Sequence, residues 1–266
     1  MTAASDQRPA GTATSAELDA ALCAAARASA IVRSNYGRSP AVTIKNDQSP
    51  VTVADVAVER EVRSLLGERF PDHGFLGEET GRSAPRTGQA MWVVDPIDGT
   101  RAFIGEYPMF STQIALMRDG EVALGVSAAP LYGELAWAEA GGGAFLNGRP
   151  LSVSRTDAVA AAVLSVGNIR ELAASPRWPR YGQLVLRAAY ARGYGEFLQY
   201  HLLAAGKIDI VIEHAIKIYD VAALVAIVRE AGGRCTTLDG GPIDEATTSI
   251  LATNGRLHDE VLAALN

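Results

Sequence analysis

The stretch MWVVDPIDGTRAFIGEYP, residues Met91 to Pro108, decides how this chain is read. Its opening, Met91 to Val94, is an apolar run that reads as a buried strand. The strand leads straight into Asp95, Asp98 and Thr100, with Pro96 and Gly99 among them. Asp, Pro and Gly are common turn residues, so a plain turn after a strand accounts for the composition alone. Three further features point to chemistry. Gly99 lets a ligand approach the backbone closely, and free N–H groups at a helix start can hold an oxyanion. A second acidic pair, Glu78 and Glu79, ends the strand-like run GFLGEE at 74–79. Asp220 opens a strongly apolar helical segment, where the commoner role of an Asp is an N-terminal cap.

Glu78, Asp95, Asp98 and Asp220 are thus four carboxylates, each at the end of an element. If they converge, they cannot all stay ionised without a cation. An oxygen-only site without His or Cys suits Mg²⁺. Such ions, bound close together, activate water and stabilise a departing alkoxide, which is what phosphate-ester hydrolysis requires. A rival phosphatase design places an aspartate nucleophile in D-x-D-G-T. Here the spacing is D-x-x-D-G-T with Pro96 after the first Asp, so the register is wrong for it. The P-loop pattern GxxxxGK[ST] is absent, which argues against an NTPase.

The rest of the chain bounds the answer. Its 266 residues allow one large domain or two packed subdomains. A composition 48% hydrophobic and 20% charged is that of a soluble globular protein. The net charge of -6, with no stretch dominated by Lys and Arg, argues against nucleic acid as a partner. Cys23 and Cys235 belong to no metal or disulfide pattern and read as buried thiols in a reducing compartment. His73, His201, His214 and His258 lack ligand spacing. Residues 1–14, MTAASDQRPAGTAT, carry no apolar signal-peptide run and read as a disordered tail. No apolar segment is long enough to span a bilayer. The expectation is a cytoplasmic protein without a membrane partner.

Thr14 and Glu17 form a capping-box pattern, followed by Leu18, Leu22, Ala25, Ser29 and Val32 at helical steps to about Tyr36. GRSPAVTIKNDQSP is a loop or hairpin. Thr52 can cap a second helix that carries Ala54, Val58, Val62 and Leu65 on one face and ends before Pro71. Asp55, at its third position, also suits the helix dipole. Beyond Pro108 the period becomes two, with turns at Asp119-Gly120 and Asn147-Gly148. The second half alternates: a strand at Val163 to Val166, a helix over about Tyr181 to Ala191, and a helix from Glu196 to Ala205. A strand IDIVIE, a helix from Tyr219, a strand SILATN and a terminal helix follow. Helices plus an antiparallel sheet therefore occupy 15–155, with most of the acidic residues. An α/β layer containing Asp220 occupies 156–266. Tyr107 and Phe110 read as core aromatics.

At this point a family resemblance enters. WVVDPIDGTRAFI resembles the first signature of the inositol monophosphatase superfamily of Mg²⁺-dependent phosphatases. YDVAALVAIVREAGG resembles its second, usually written with Trp before the Asp, and GEE at 77–79 sits at the expected distance upstream. SPVTVADVAVE, RAFI, RGYGEFLQY and ATNGRLHDEVL are similar to one branch, the histidinol-phosphate phosphatases. The resemblance implies a layered α/β sandwich in αβαβα order, a homodimer, and two or three Mg²⁺ ions per site. By the same resemblance Glu78, Asp95, the Ile97 carbonyl, Asp98 and Asp220 would be ligands. Glu79 would hold a bound water or an additional ion, and Thr100 with Asp55 would orient and deprotonate the attacking water. Gly99, Thr100 and Arg101 would meet the phosphate. Lys45 lies near the place of a basic residue found before TVAD.

Glu196 and Glu213 are the candidates for the leaving group. Either could pair with the ammonium of histidinol, whereas Glu213 in the wider family hydrogen-bonds a polyol. Surface charge, and for Glu196 a helix start, are the plain alternatives. The chain departs from the branch at Glu196, where Asp is common, and at Tyr219, where Trp is usual. The implied reaction is hydrolysis of L-histidinol phosphate to L-histidinol and phosphate by a metal-activated water, with no covalent enzyme intermediate. Inositol or sugar phosphates are the alternative substrates. A non-catalytic scaffold is a third reading, against which stands the complete set of carboxylates with Thr100.

Overall fold

The computed structural model of the protein describes residues 14–38, 41–45, 48–86 and 90–266. The expected tail lies outside these except for Thr14, whose hydroxyl donates to Asp19 Oδ1 at 2.7 Å. Helix α1 (Ala16–Asn35) is capped by Ser15, whose side chain accepts the Leu18 N–H. This corrects the expected Thr14 cap by one residue. Ser caps as well as Thr, and Glu17 is engaged elsewhere, in an ion pair with Arg118 at 2.5 Å. Strands β1 (Val42–Ile44) and β2 (Pro50–Thr52) form an antiparallel hairpin. Helix α2 (Val53–Arg69) starts at the Thr52 cap and ends before Pro71, as the sequence implies.

Strands β3 (Gly74–Gly77), β4 (Gly81–Ser83) and β5 (Ala90–Asp98) precede a short helix α3 (Thr100–Ile104). Then come β6 (Ser111–Arg118), β7 (Glu121–Ala129), β8 (Glu134–Glu139), β9 (Gly143–Leu146) and β10 (Arg149–Pro150). They form one sheet in the order β10-β9-β8-β7-β6-β5-β3-β4. Every neighbouring pair is antiparallel except β3 with β5. The β6–β7 turn has φ of 53° at Asp119 and 84° at Gly120, the left-handed pair an Asp-Gly hairpin turn needs.

The second half adds β11 (Val163–Val166), α4 (Ile169–Ala173), α5 (Trp178–Arg187), β12 (Tyr190–Arg192), α6 (Glu196–Ala204) and β13 (Ile210–His214). It ends with α7 (Ile218–Glu230), β14 (Arg234–Thr236), β15 (Ser249–Thr253) and α8 (His258–Leu265). The sheet order is β12-β11-β13-β15-β14, parallel across the first three strands and antiparallel across the rest. The helix expected over Tyr181 to Ala191 instead begins at Trp178 and stops at Arg187. Ala188 turns extended, and Tyr190 pairs with Val163 as an edge strand.

Alternation along the strands builds five layers, because successive side chains point to opposite faces of a sheet. Trp92 and Val94 of β5 face α1 and α2, while Met91 and Val93 pack with α6 and α7. Val211, Ile250 and Ala252 close that middle helical layer from the other sheet. Ile210, Ile212 and Leu251 turn outward onto α5 and α8. The order is therefore α, β, α, β, α. Helix α7 is apolar all round, with nine buried residues, because it lies between two sheets. Each buried Val, Leu or Ile there contributes about 1.5–3 kcal/mol. Phe110 is in the core at 1% exposure, but Tyr107 is 50% exposed, which corrects its assignment to the core. No helix of the described residues is long and apolar enough to cross a membrane.

Candidate active site

The strand expected over Met91–Val94 continues through both aspartates. β5 keeps register with β6 as far as Asp95, slips at a bulge, and resumes at Asp98 opposite Ser111. In a plain strand, residues three apart face opposite sides. The bulge re-aims the chain, and Asp95 and Asp98, both buried, come within electrostatic reach of one another. Gly99 follows with φ of 93°, and a Cβ there would lie 2.6 Å from the Met109 carbonyl. Only glycine makes this turn, and it delivers Thr100 as the first residue of α3.

Asp55 is fully buried at the third position of α2. Its Oδ2 accepts the Thr52 N–H at 2.8 Å and the Thr52 hydroxyl at 2.6 Å. Thr100 Oγ1 lies 3.2 Å from Asp55 Oδ1 and 3.1 Å from the Ile97 carbonyl. Burial raises the Asp55 carboxyl above its ordinary range, against the lowering effect of Thr52. Glu78 and Glu79 follow β3. Lys45 Nζ bridges them, 2.7 Å from Glu78 Oε1 and 2.9 Å from Glu79 Oε1. Burial alone would lower the lysine pKa; the bonds to both glutamates outweigh it and raise it. Burial likewise lifts Glu79.

Asp220 is at the third position of α7 and accepts the Lys217 N–H at 2.7 Å. Its carboxyl is pushed up to about 7, by burial first and then by Glu78, with the Lys217 N–H opposing. Asp98 accepts from Ser111 at 3.4 Å and shares a hydrogen bond with Glu196, the first residue of α6. Two carboxyls bonded to each other hold a proton between them. Glu213 on β13 accepts from Tyr200 at 2.7 Å and Gln199 at 2.9 Å, both on Oε2, and burial pushes it up to about 8. Asp98, Glu196, Glu213 and Asp220 line one small cavity of about 40 Å³, with Asn168 and Tyr200. Arg101 is exposed, its Nη2 3.5 Å from the Gln48 carbonyl.

Among the described residues, no three acidic, His or Cys side chains stand close enough as placed to share one ion. The carboxylates are neighbours rather than a closed cage, turned onto Lys45, the Lys217 N–H and each other. Three observations nevertheless fit a hard divalent cation. The donor set is oxygen throughout, which suits Mg²⁺. Asp95 Oδ1 is buried without a hydrogen-bond partner. Asp95 and Asp98 are raised well above the usual carboxylate range, by burial and then by their acidic neighbours, a cost that a dication removes.

The profile of the Inositol monophosphatase family matches residues 15–266. The chain belongs to the inositol monophosphatase family. Histidinol-phosphatase of Mycobacterium tuberculosis is 43% identical over 258 residues, covering 94% of this chain and 98% of that protein. Histidinol-phosphatase of Chlorobaculum parvum is 34% identical over 250 residues, covering 94% and 96%. The IMPase of Thermotoga maritima superposes with a TM-score of 0.83 at 30% identity, covering 94% of this chain and 96% of that one. This member of the inositol monophosphatase family has the layered fold its signatures imply, and it is a phosphoric monoester hydrolase.

Sequence reasoning missed Asn168, Tyr200, Gln199 and Glu59, all of which border or brace the site. Glu59 closes the run SPVTVADVAVE one turn after Asp55, but nothing in that run shows what it bonds. Gln199 and Tyr200 end the run RGYGEFLQY, but α6 is apolar on most sides and no local pattern turns them towards the site.

Proposed function

We propose that the protein is a Mg²⁺-dependent phosphomonoesterase that hydrolyses L-histidinol phosphate to L-histidinol and phosphate. The observation that carries the substrate is the acidic wall of Glu196 and Glu213 beside Asp98 and Asp220 in one cavity. A carboxylate also accepts from the hydroxyls of a polyol, but two buried side by side gather negative charge that a cation such as the ammonium of histidinol neutralises. A bound cation would draw the raised Glu213 carboxyl back to its ionised form. The likeness to histidinol-phosphatases along almost the whole of both chains supports the same reading.

Glu78, Asp95, the Ile97 carbonyl, Asp98 and Asp220 would hold Mg²⁺, with Glu79 beside them. When bound, Mg²⁺ supplies Lewis-acid stabilisation of the phosphoryl and leaving oxygens and makes water acidic enough to attack. The chain's own part is proton handling and orientation. Thr100 Oγ1 donates to Asp55 Oδ1 and so offers its lone pairs to one proton of the attacking water. Asp55 Oδ2 is fixed by Thr52, which leaves Oδ1 to take the proton passed through Thr100. The raised Asp55 carboxyl makes it a better base than a solvated aspartate. Phosphate oxygens meet the N–H groups of Gly99, Thr100 and Arg101, where a starting helix has no internal acceptors. Attack in line breaks the bond to the ester oxygen, which takes a proton from solvent water and leaves as the alcohol, with no covalent enzyme intermediate; the rest of the leaving group lies on the Glu196 and Glu213 side.

Steady-state kinetics on L-histidinol phosphate and myo-inositol 1-phosphate, with wild type and Glu196→Gln, test this. The wild type should favour the cationic substrate by roughly tenfold or more in kcat/KM, about 1.4 kcal/mol. Glu196→Gln should lose most of that preference. Equal losses on both substrates would remove Glu196 from cation recognition, and a wild-type preference for the inositol ester would overturn the substrate.

A further inference from the structure

Helix α2 carries Asp55, Glu59 and Arg63 at steps of four, so the three share one face. Each reaches a different part of the site's frame. Asp55 meets Thr100, as described. Glu59 lies beneath the loop that follows β3: its Oε2 accepts the Glu79 N–H at 2.8 Å and its Oε1 the Thr80 N–H at 2.6 Å. Arg63 Nη1 donates to the Thr80 hydroxyl at 2.6 Å, with its guanidinium over the Phe75 ring.

Glu59 is fully buried and, among the described residues, forms no ion pair. A carboxylate buried beside Val58 and Val62 is unfavourable unless donors satisfy it. Here the donors are two consecutive backbone amides, which satisfy both oxygens at once. The neighbouring backbone is fitted to this group: a Cβ on Gly77 would lie 2.2 Å from Glu59 Oε1. The clamped amides belong to Glu79 itself and to the residue after it, so the clamp sets where the Glu78–Glu79 segment sits.

We propose that Glu59 is a positioning residue that fixes the direction in which Glu78 and Glu79 present their carboxylates to a divalent cation. This rests on the Mg²⁺ reading given above. Replacing one carboxylate oxygen by an NH₂ group turns an acceptor into a donor that faces a backbone N–H. Glu59→Gln should therefore weaken Mg²⁺ binding by roughly 10–100-fold, the usual effect of losing a group that orients a ligand.

The experiment is calorimetric titration of Mg²⁺ into the full chain without substrate, for wild type, Glu59→Gln, Glu59→Asp and Val62→Ala, alongside thermal unfolding and Mg²⁺-dependent turnover. Glu59→Gln should bind Mg²⁺ more weakly and need more Mg²⁺ for half-maximal turnover, with kcat recovering towards wild type at saturating Mg²⁺. Glu59→Asp, which keeps two acceptors, should recover part of the affinity. Val62→Ala, a cavity on the apolar face of the same helix, should lower the melting temperature and leave Mg²⁺ affinity unchanged. Folded Glu59→Gln with wild-type affinity would overturn the proposal, and so would equal affinity losses in Glu59→Gln and Val62→Ala. If Glu59→Gln does not fold, Glu59→Asp decides: weaker Mg²⁺ binding than wild type supports the proposal and equal binding overturns it. A wild type that binds no Mg²⁺ would instead remove the metal reading, and this inference with it.

Discussion

The Thr100 hydroxyl lies between Asp55 Oδ1 and the Ile97 carbonyl, at 3.2 and 3.1 Å, and has one proton to give. In the proposed reaction that proton goes to Asp55 while the hydroxyl oxygen receives the water's. Thr100→Ala removes this path and leaves the carboxylates and backbone amides in place. It should lower kcat by roughly 10²–10⁴-fold, the scale of general-base catalysis, with KM changed little; rapid measurement of phosphate release checks it. A change confined to KM would show that Thr100 serves ground-state binding. Asp95, Asp98 and Thr100 were legible because acidic residues crowd into a strand end. Glu59 was not, because its partners are backbone amides at Glu79 and Thr80, and amides leave no trace in a sequence. Lys45 was placed only loosely: it reaches from the β1–β2 hairpin to Glu78 and Glu79 after β3, 33 and 34 residues on, a pairing that no local pattern fixes.

Helices, hairpins and caps were the most readable elements. Thr52 with Asp55, and the two turns at Asp119-Gly120 and Asn147-Gly148, state their backbone conformation in their own side chains. The three-residue strands β12 and β14 were not readable, since each exists only by pairing with a distant strand. The β5 bulge was hidden for a related reason: its register depends on β6. Helix α8 shows how such pieces are joined. Its first residue, His258, is buried between Thr236 of β14 and Thr253 of β15, at 2.9 and 3.1 Å. Burial, then the charge of Arg234, pulls its pKa down to about 4. The neutral ring is the form the fold accepts. Its contribution is therefore present above the ordinary pKa of about 6.5 and is lost as pH falls through that value towards 4. Melting temperatures of wild type and His258→Gln across pH 4 to 7 should differ most at pH 7 and converge on acidification. About 1 kcal/mol corresponds to roughly 2–4 °C in a protein of this size. A difference independent of pH would contradict the assignment.

At the scale of the molecule, alternation in β5 and β13 sorts apolar side chains into five layers, and the acidic residues gather where those layers' ends meet. Asp55 comes from the first helical layer, Glu78, Asp95 and Asp98 from the larger sheet, Glu196 and Asp220 from the middle helices, and Glu213 from the smaller sheet. The layer order follows from strand periodicity, and the family signatures announce it. The convergence of the carboxylates does not follow from periodicity, since it joins residues more than a hundred positions apart. Phosphate release from L-histidinol phosphate by metal-stripped protein, measured against Mg²⁺ concentration for wild type and Asp98→Asn, tests that convergence most directly. Wild type should be inactive in chelator and restored by Mg²⁺, and Asp98→Asn should stay inactive at every Mg²⁺ concentration while remaining folded. Turnover in chelator, or an Asp98→Asn variant with normal activity and Mg²⁺ dependence, would contradict the account.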